Sequence, residues 1–447
     1  MASVQIPQIR FDDVRGKHVL VALSGGADSV ALLHLLDRNR TAYDLHLTAA
    51  HLHHGIRGCD ADDDAALCRN LCAGLRIRLI EGRVDVPQLA RERGQGLEEA
   101  ARDARYAFLR QARTDCGADV IALAHHLDDQ AETVLMHLLR GAGPEGICGM
   151  RRMQGELYRP LLEVRKSALM QFLEDAGIPW REDATNAAAD NPRNALRLNV
   201  LPEIEKSYPS AAEAIARYAR IAQAESDYVS RRCDAFFQAH VHRFPCGWRI
   251  DAGAAEEVLL RRTIRRICGC GLPARKLDEI MDLFAQPHGR LALGGGILAE
   301  QTGGALYLLT RAVPVPEPVP LPLPGEAELR GIGRIRVELG EFPIEPGADV
   351  EVLDAQALGG AVLRTRRSGD RIHPLGAPGD RLLSDHLIDR KVDRPLRDVL
   401  PLIAIGSRVL WVAGQGIAED ARITQTTRAR ARIRFFPTTD EQAEVYR

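Results

Sequence analysis

The stretch VLVALSGGADSVALLHLL, residues 19–36, decides the fold of the first part of this chain. An apolar run typical of a buried strand ends at Leu23, and a run with helical spacing starts at Ser29. Glycines and serines fill the junction, where α/β proteins bind anions through the free N–H groups of a helix N-terminus. Asp28 is unusual there because its carboxylate repels a bare phosphate. A divalent cation between the two removes the conflict, since Mg²⁺ commonly binds one or two carboxylates.

The loop fits neither of two common nucleotide-binding patterns. The chain has no G-x-x-x-x-G-K-[ST] sequence, and residues 24–29 do not match G-x-G-x-x-G. We therefore predict that phosphate is bound by backbone N–H groups and by the hydroxyls of Ser24 and Ser29, with glycines allowing a close approach. The alternative is a tight turn in which Asp28 only caps the helix.

The composition limits the class of protein. A chain of 447 residues with 45% apolar residues is long enough for about three domains. The formal net charge of −2 excludes a uniformly basic nucleic-acid binder, so an RNA-binding surface must consist of local arginine clusters. The first residues contain no apolar signal core, and the nine cysteines contain no C-x-x-C pair. These features predict a cytoplasmic protein with free thiols and no membrane span.

Strand and helix signals alternate in the N-terminal part of the chain. Runs rich in Val, Ile and Leu predict strands at 18–23, 45–52, 77–83 and 120–125, with helices between and after them. This alternation predicts an α/β fold, with a doubly wound parallel sheet in a domain over residues 1–208. Ligands bind at the carboxyl ends of the strands in such sheets, where the polar motifs of this chain fall.

The rest of the chain divides into three predicted segments. Helical patterns, with no strand before Trp248, predict a mainly helical middle domain at 209–312. The sequence VPVPEPVPLPLPG at 313–325 has proline at nearly every second position, which excludes a helix and a central strand. It predicts an extended spacer within a connecting segment at 313–349. Mixed signals predict a small α+β C-terminal domain at 350–447.

The loop SGGADS resembles the S-G-G-x-D-S loop of the PP-loop ATP pyrophosphatases. These enzymes cleave ATP between the α and β phosphates and adenylate a substrate. The resemblance implies a domain of the adenine nucleotide alpha hydrolase-like kind, with ATP and Mg²⁺ as cofactors. It places the whole loop at the ATP: Ser24, Gly25, Gly26, Ala27, Asp28 and Ser29.

Four further stretches resemble one family within that superfamily, the tRNA-isoleucine lysidine synthetases. HGIR at 54–57 and ARDARY at 101–106 match two of its motifs. AHHLDDQAET at 124–133 matches a third motif in full, and RNALR at 193–197 matches a fourth. The last stretch lies outside the ATP loop itself and therefore narrows the choice of family.

The resemblance implies roles for the matching residues. The implied catalytic residues are Asp28, Arg102, Arg105, Asp128 and Asp129. The implied substrate-binding residues are His125, Glu132, Arg193 and Asn194. His54 and Arg57 are implied as further ATP contacts, and Asp28 and Asp129 as metal ligands.

The residues themselves leave plainer alternatives open. Carboxylates stabilise a helix N-terminus, so Asp128 and Asp129 fit the first turn of a helix without any ligand. Arg102 and Arg105 share a helix face, where they could clamp a phosphate or a carboxylate. They could equally form a solvated face in which Arg102 pairs with Glu98.

Arginine clusters in the later segments predict an RNA partner. RTRRSGDRIHPLG at 364–376 resembles the C-terminal domain of the same family. That resemblance implies tRNA contacts from Arg364, Arg366, Arg367 and Arg371. The arginines in 428–434 alternate and predict one face of a strand. Phosphate contacts of this kind supply affinity and register, whereas the alternative for each cluster is a solvated surface.

The resemblance implies a reaction in two steps. ATP adenylates the carbon-2 oxygen of the wobble cytosine in a tRNA-isoleucine with a CAU anticodon, and the ε-amine of L-lysine then replaces AMP. No membrane partner is expected, and a homodimer is left open. One rival is a tRNA thiolation enzyme on the same loop, with Cys59, Cys68 and Cys72 as candidate sulfur carriers. Another is a non-catalytic protein that binds ATP and RNA.

Overall fold

The computed structural model of the chain describes residues 9–55, 59–181, 192–251, 253, 255–269, 271–312, 315–343 and 350–438. The chain forms two compact units, Met1–Tyr228 and Val229–Arg447. No helix in the described ranges is long and apolar enough to span a membrane. The domain boundaries after residues 208, 312 and 349 stay predictions.

The first unit is built on a six-stranded sheet in the order β3-β2-β1-β4-β6-β5. Its strands are β1 (His18–Ala22), β2 (His46–His53), β3 (Arg78–Arg83), β4 (Val120–Ala122), β5 (Met153–Gln154) and β6 (Leu157–Tyr158). All neighbours pair in parallel except β5, which pairs antiparallel with β6 at the edge. The four predicted strands are confirmed, although β4 ends earlier than predicted.

Helices cover both faces of this sheet, and further short helices pack beside them. They are α1 (Ala27–Asn39), α2 (Cys59–Leu75), α3 (Val86–Arg93), α4 (Leu97–Cys116), α5 (Leu127–Leu139), α6 (Pro144–Ile147), α7 (Lys166–Asp175), α8 (Pro192–Ala195) and α9 (Leu201–Ser207). Val19 of β1 packs in one apolar cluster with Phe172 of α7, whereas Leu20 packs in another with Leu109 of α4. Alternate residues of β1 are thus buried on opposite faces, which confirms the doubly wound parallel sheet.

The chain continues into α10 (Ala211–His240), within which the division between the units falls. The second unit begins with a five-stranded sheet in the order β7-β8-β11-β10-β9 and two helices. These elements are β7 (Val241–Phe244), β8 (Gly247–Ile250), α11 (Glu257–Cys268), α12 (Ala274–Phe284), β9 (Gly289–Gly294), β10 (Ile297–Thr302) and β11 (Ala305–Leu309). The prediction of no strand before Trp248 was wrong, because β7 and β8 form a hairpin. Its four-residue strands and Pro-Cys loop lack the Asn-Gly signal of most tight hairpins.

Two further sheets form the C-terminal part of the second unit. One has the order β12-β16-β19-β20-β17-β18, with β21 on β20, and the other has the order β13-β14-β22-β15. Their strands are β12 (Val319–Pro320), β13 (Gly325–Leu329), β14 (Gly333–Gly340), β15 (Val350–Asp354), β16 (Val362–Arg364), β17 (Arg371–Ile372), β18 (Arg381–Leu382), β19 (Leu402–Ile405), β20 (Arg408–Val412), β21 (Gly416–Ile417) and β22 (Arg430–Pro437). Two short helices, α13 (Leu383–Asp389) and α14 (Arg394–Arg397), complete the predicted α+β arrangement.

The proline-rich segment is a spacer only in part. Val319 and Pro320 form β12 at the edge of a sheet, a position that tolerates proline because one side of the strand needs no ladder hydrogen bonds. Leu321 donates its N–H to the carbonyl of Ala361, and Leu323 packs against the C-terminal core. The segment is therefore excluded from a central strand, as predicted, but it is anchored to the sheet that follows.

One apolar core joins the five-stranded sheet to the C-terminal strands. Phe244 and Tyr307 lie in the same buried cluster as Leu363 and Trp411. The Tyr307 hydroxyl donates a hydrogen bond of 2.6 Å to Asp393. A chain cut within the proline-rich segment would expose this core, so point substitutions probe the C-terminal surface better than truncation does.

Arg364 belongs to that core rather than to the surface. Its side chain is 1% exposed and donates two hydrogen bonds of 2.8 Å to the Asp370 carboxylate. It also donates to the carbonyls of Thr365 and Gly406. The prediction that Arg364 contacts tRNA is therefore wrong, since a buried guanidinium that binds a buried carboxylate cannot reach a phosphate.

We expect Asp370→Asn to lower the free energy of unfolding by about 3 kcal/mol, because Arg364 would keep its charge in the core without a counter-charge. Asp398→Asn is the matched control, since Asp398 pairs with Arg366 at a half-exposed position. That change should stay within about 1 kcal/mol of wild type. Chemical denaturation of the full chain measures both. Equal losses in the two variants would contradict the structural role of the buried pair.

Candidate active site

The loop after β1 is braced by its own two serines. The Ser24 N–H donates to Ser29 Oγ at 3.1 Å, and Ser29 Oγ donates to the carbonyl of Gly26 at 2.9 Å. Gly25 has a φ of +90°, in the region that favours glycine, and lets the chain reverse at this point. The loop therefore keeps one shape without a ligand.

The N-terminus of α1 is open to an anion. Gly26 is the N-cap residue, and no side chain accepts a hydrogen bond from the first turn there. Asp28 lies one residue inside the helix, so the alternative in which Asp28 only caps the helix does not hold. An uncapped first turn leaves its N–H groups and the positive end of the helix dipole available to a phosphate.

Asp28 carries the clearest signal for a cation. One carboxylate oxygen, Oδ2, lies 3.7 Å from His126 Nε2 and 3.8 Å from Lys166 Nζ. The other, Oδ1, is buried and has no hydrogen-bond partner among the described residues. Burial raises the pKa of Asp28, which is the cost of keeping a carboxylate in this position. A buried oxygen without a partner beside an anion loop fits Mg²⁺, which prefers oxygen ligands.

The two histidines that follow β4 have different tasks. His126 is 2% exposed and caps α5, since its Nδ1 accepts from the N–H of Asp129 and its own N–H donates to the Asp129 carboxylate. His125 instead lines the cavities described below. Burial lowers the pKa of His125 to about 4, so its ring is neutral at pH 7. The capping alternative is thus realised by His126 and Asp129.

Two arginines neutralise the acidic pair of α5. Arg193 and Arg197 both donate to Glu132, with distances of 2.6–2.9 Å, and to Oδ1 of Asp129 at 3.0–3.1 Å. Glu132 is 1% exposed, so its charge is held entirely by these contacts. Burial opposes ionisation of Asp129, but His126 and Arg193 hold the pKa of that carboxyl below its usual value. An ammonium group can bind this pair only by displacing a guanidinium.

Asp128 serves the fold rather than the site. Its Oδ1 lies 2.9 Å from Arg165 Nη1, and its Oδ2 accepts the N–H of Lys166 at the start of α7. It lines neither of the two cavities beside the loop. Oδ2 also lies 3.5 Å from His126 Nδ1, so the catalytic role predicted for Asp128 has no support beyond this contact with the residue that caps α5.

Two adjoining cavities lie at the carboxyl end of the sheet. The first, of about 260 Å³, is lined by loop residues and the strand ends: Ser24, Gly26, Asp28, Ser29, His54, Arg105, His125 and Asp129 among others. The second, of about 550 Å³, is lined by Arg102 and Arg193 and shares His54, Arg105 and His125 with the first. Asn194 and Glu132 line neither cavity, and Arg57 lies outside the described residues.

Three residues of this region were given no role from the sequence, although Arg159 and Arg197 lie in matching motifs. Arg197 completes the acid–arginine cluster, and its i,i+4 spacing from Arg193 was the available signal. Lys166 reaches Asp28 from α7. No local sequence pattern predicts this contact, because the two residues are far apart in the sequence. Arg159 follows β6 and lines the larger cavity, where only the sheet order places it beside β4.

The fold and the loop together define an ATP-dependent enzyme of the PP-loop class. A family model of the PP-loop domain matches residues 3–204, and one of the TilS substrate C-terminal domain matches residues 361–435. The curated tRNA(Ile)-lysidine synthase of Geobacter sulfurreducens is 34% identical over 445 residues, which cover 94% of this chain and 93% of that relative.

Two further relatives carry the same name. The tRNA(Ile)-lysidine synthase of Clostridium acetobutylicum is 29% identical and is matched over 92% of this chain and 93% of the relative. That of Caldanaerobacter subterraneus is 30% identical over 92% and 91%. The chain belongs to the tRNA(Ile)-lysidine synthase family, and it is an ATP-dependent ligase that modifies tRNA.

We expect Asp28→Asn to abolish Mg²⁺-dependent pyrophosphate release without unfolding the protein. Because burial raises the pKa of Asp28, the charged carboxylate lowers stability at a pH above that pKa, and a neutral amide of equal size does not. Asp37→Asn is the control, since Asp37 lies on the same helix and pairs with Arg40 away from the loop. Pyrophosphate release and the thermal unfolding midpoint are measured for each. A folded Asp28→Asn protein with normal release would exclude a metal-binding role.

Proposed function

We propose that this chain joins L-lysine to the wobble cytidine of a tRNA-isoleucine with a CAU anticodon. The carbon-2 oxygen of the base attacks the α-phosphate of ATP, and pyrophosphate leaves. The ε-amine of lysine, having lost a proton, then attacks carbon 2, the C–O bond breaks, and AMP leaves with that oxygen. The observation that carries the proposal is that the two cavities share a wall of His54, Arg105 and His125, across which a base in one would reach a phosphate in the other.

The smaller cavity is the proposed ATP site. The N–H groups of the loop and of the first turn of α1 hold the phosphates, with Gly25 and Gly26 allowing close approach. Ser24 and Ser29 keep the loop in shape through their hydroxyls. His54 lines the shared wall and is proposed to contact the nucleotide, and Arg57 keeps its predicted role.

Mg²⁺ is proposed to bind at Asp28. The unpartnered Oδ1 of Asp28 would hold the ion, which when bound neutralises phosphate charge and so favours departure of pyrophosphate. Asp129, the second predicted ligand, already binds two arginines and the N–H of His126. We therefore assign the metal contact to Asp28 and leave Asp129 as the residue that orders the arginines.

The substrate amine is proposed to meet His125. A neutral imidazole offers an acceptor nitrogen, and Nδ1 of His125 is buried without a partner among the described residues. Arg105 stands on the same wall and supplies positive charge near the reacting phosphate. Glu132 acts in this proposal through Arg193, which it orients.

The thiolation alternative is disfavoured by the state of the cysteines. Cys68 and Cys72 are buried, and burial raises the pKa of the first to about 12 and of the second to about 11. A thiol with so high a pKa is a poor nucleophile at neutral pH. The side chain of Cys59 lies outside the described residues. A non-catalytic role is disfavoured by Asp28, whose unpaired buried oxygen has no structural task.

We expect the full-length protein to convert a CAU-anticodon tRNA to the lysidine form when ATP, Mg²⁺ and L-lysine are present. Mass analysis of the digested nucleosides measures the product, because replacing the base oxygen by lysine changes the mass of one cytidine. Omitting lysine is the control and should leave that cytidine unmodified. A sulfur-containing nucleoside, or no change in a protein that binds both ATP and tRNA, would overturn the proposal.

The C-terminal surface is proposed to hold tRNA phosphates. Arg367 and Arg371 are exposed, and Arg366 is half-buried beside Asp398. Arg366 and Arg367 line a cavity of about 380 Å³ together with Ser368 and Ser384. Asp370 and Asp398 also line this cavity and are paired with Arg364 and Arg366. The Arg367 guanidinium and the two hydroxyls are therefore the groups proposed to meet a phosphodiester.

We expect the double variant Arg367→Gln, Arg371→Gln to bind full-length tRNA more weakly and with a shallower salt dependence, by about one unit of slope for each lost contact. Arg334→Gln is the control, since Arg334 lies in the same unit and pairs with Glu326. Affinity across a salt series measures both variants. If the double variant keeps the wild-type affinity and salt slope, as the control does, Arg367 and Arg371 do not belong to the RNA-binding surface.

A further inference from the structure

The larger cavity of the first unit is strongly cationic. Among its lining residues are five arginines, three histidines and a single acid, Glu98. The arginines are Arg102, Arg105, Arg140, Arg159 and Arg193. Gathering guanidinium groups around one space is unfavourable unless an anion occupies it. The cavity is therefore built for a negatively charged ligand.

Four of these five arginines, Arg159 among them, have no carboxylate partner in the part of the chain that the structure describes. Arg102, Arg105 and Arg140 form no ion pair with any residue in the described ranges, so the Glu98–Arg102 pair considered from the sequence does not form. Several arginines elsewhere do have such a partner, as Arg266 has Asp234 and Arg432 has Glu338. The positive charge of these guanidinium groups is thus not neutralised by carboxylates of the described residues.

Arg159 provides a second, independent sign of a ligand. Its side chain is 5% exposed, and one nitrogen, Nη1, donates to the carbonyl of Arg151 and to Gln154. Its Nε is buried without a hydrogen-bond partner among the described residues. A buried guanidinium with an unused donor on a cavity wall is costly in the free protein, and an anion accepting that donor removes the cost.

Another part of the cavity wall is held by hydrogen bonds within the protein. The side-chain amide of Gln130, on α5, donates to the carbonyl of Met150 and accepts the N–H of Met150. It thus satisfies both backbone groups of that residue. Gly149, with a φ of +61°, packs so tightly that a Cβ would lie 2.8 Å from the Gln130 amide. His137 bonds the carbonyl of Gly146 at 2.6 Å. A preformed wall reduces the entropy lost when a ligand is held.

We propose that this cavity holds the backbone phosphates on either side of the wobble nucleotide, with Arg102, Arg140 and Arg159 as the contacts. The proposal rests on the proposed function, since it takes the anticodon loop as the ligand. Adenylation requires the base to reach the α-phosphate at the shared wall. The phosphodiesters of the same nucleotide then lie one sugar away, on the side of the larger cavity. The three arginines line only that cavity.

The test uses the full-length protein and a synthetic RNA stem–loop that carries the CAU anticodon, without ATP or lysine. Arg102→Gln and Arg140→Gln should each weaken RNA binding about threefold to tenfold and make the salt slope shallower by about one unit. Arg93→Gln is the control, because Arg93 is exposed on α3 and lines neither cavity. ATP affinity and the KM for lysine are measured on the same proteins and should not change.

Each of the following outcomes would contradict the proposal that the larger cavity holds RNA phosphates. If both variants bind the RNA with wild-type affinity, the cavity is not an RNA-binding site. A matching loss of ATP affinity assigns the arginines to the triphosphate, and a raised KM for lysine alone assigns them to the amino-acid carboxylate. Failure of the proposed function is separate, because it shows as wild-type protein that binds the stem–loop yet makes no lysidine.

Discussion

The parallel pairing of β1 with β2 and with β4 is the constraint on which the site depends. Val19 lies opposite Leu47 on one side and Val120 on the other, so three strands end at the same edge of the sheet. The phosphate loop, His54 and His125 follow these three ends and meet, although they are far apart in the sequence. The helices on both faces hold that register, because a shift by one residue would turn Leu20 out of its cluster.

Charge is then divided into a paired and an unpaired part. Asp129 and Glu132 face Arg193 and Arg197, and this buried cluster is close to neutral. Asp28 keeps an unpartnered oxygen at the loop, while most of the larger cavity's arginines have no carboxylate. In the proposals above, the smaller cavity therefore takes a cation with phosphate, and the larger cavity takes phosphate alone. The separation suits a reaction in which two phosphate-bearing substrates meet at one wall.

Three departures from the sequence predictions share one cause. Asp128, Arg364 and Glu132 are charged residues in motifs, and a motif reveals the residue type without the direction of the side chain. Each of the three is engaged by a partner that is remote or buried: Arg165 for Asp128, Asp370 for Arg364, and two arginines for Glu132. The hairpin of β7 and β8 was missed for a different reason, since four residues are too few for alternation to be read.

The sequence by itself determined the doubly wound sheet, the phosphate loop and the family, because strand–helix alternation and the residues of a tight loop are local properties. It also indicated that Asp28 needs a cation, since like charges cannot share a loop unaided. Only the tertiary structure decided which arginines are available to a ligand. Availability depends on whether a carboxylate from another element reaches the guanidinium, and that is set by packing between segments that the sequence places far apart.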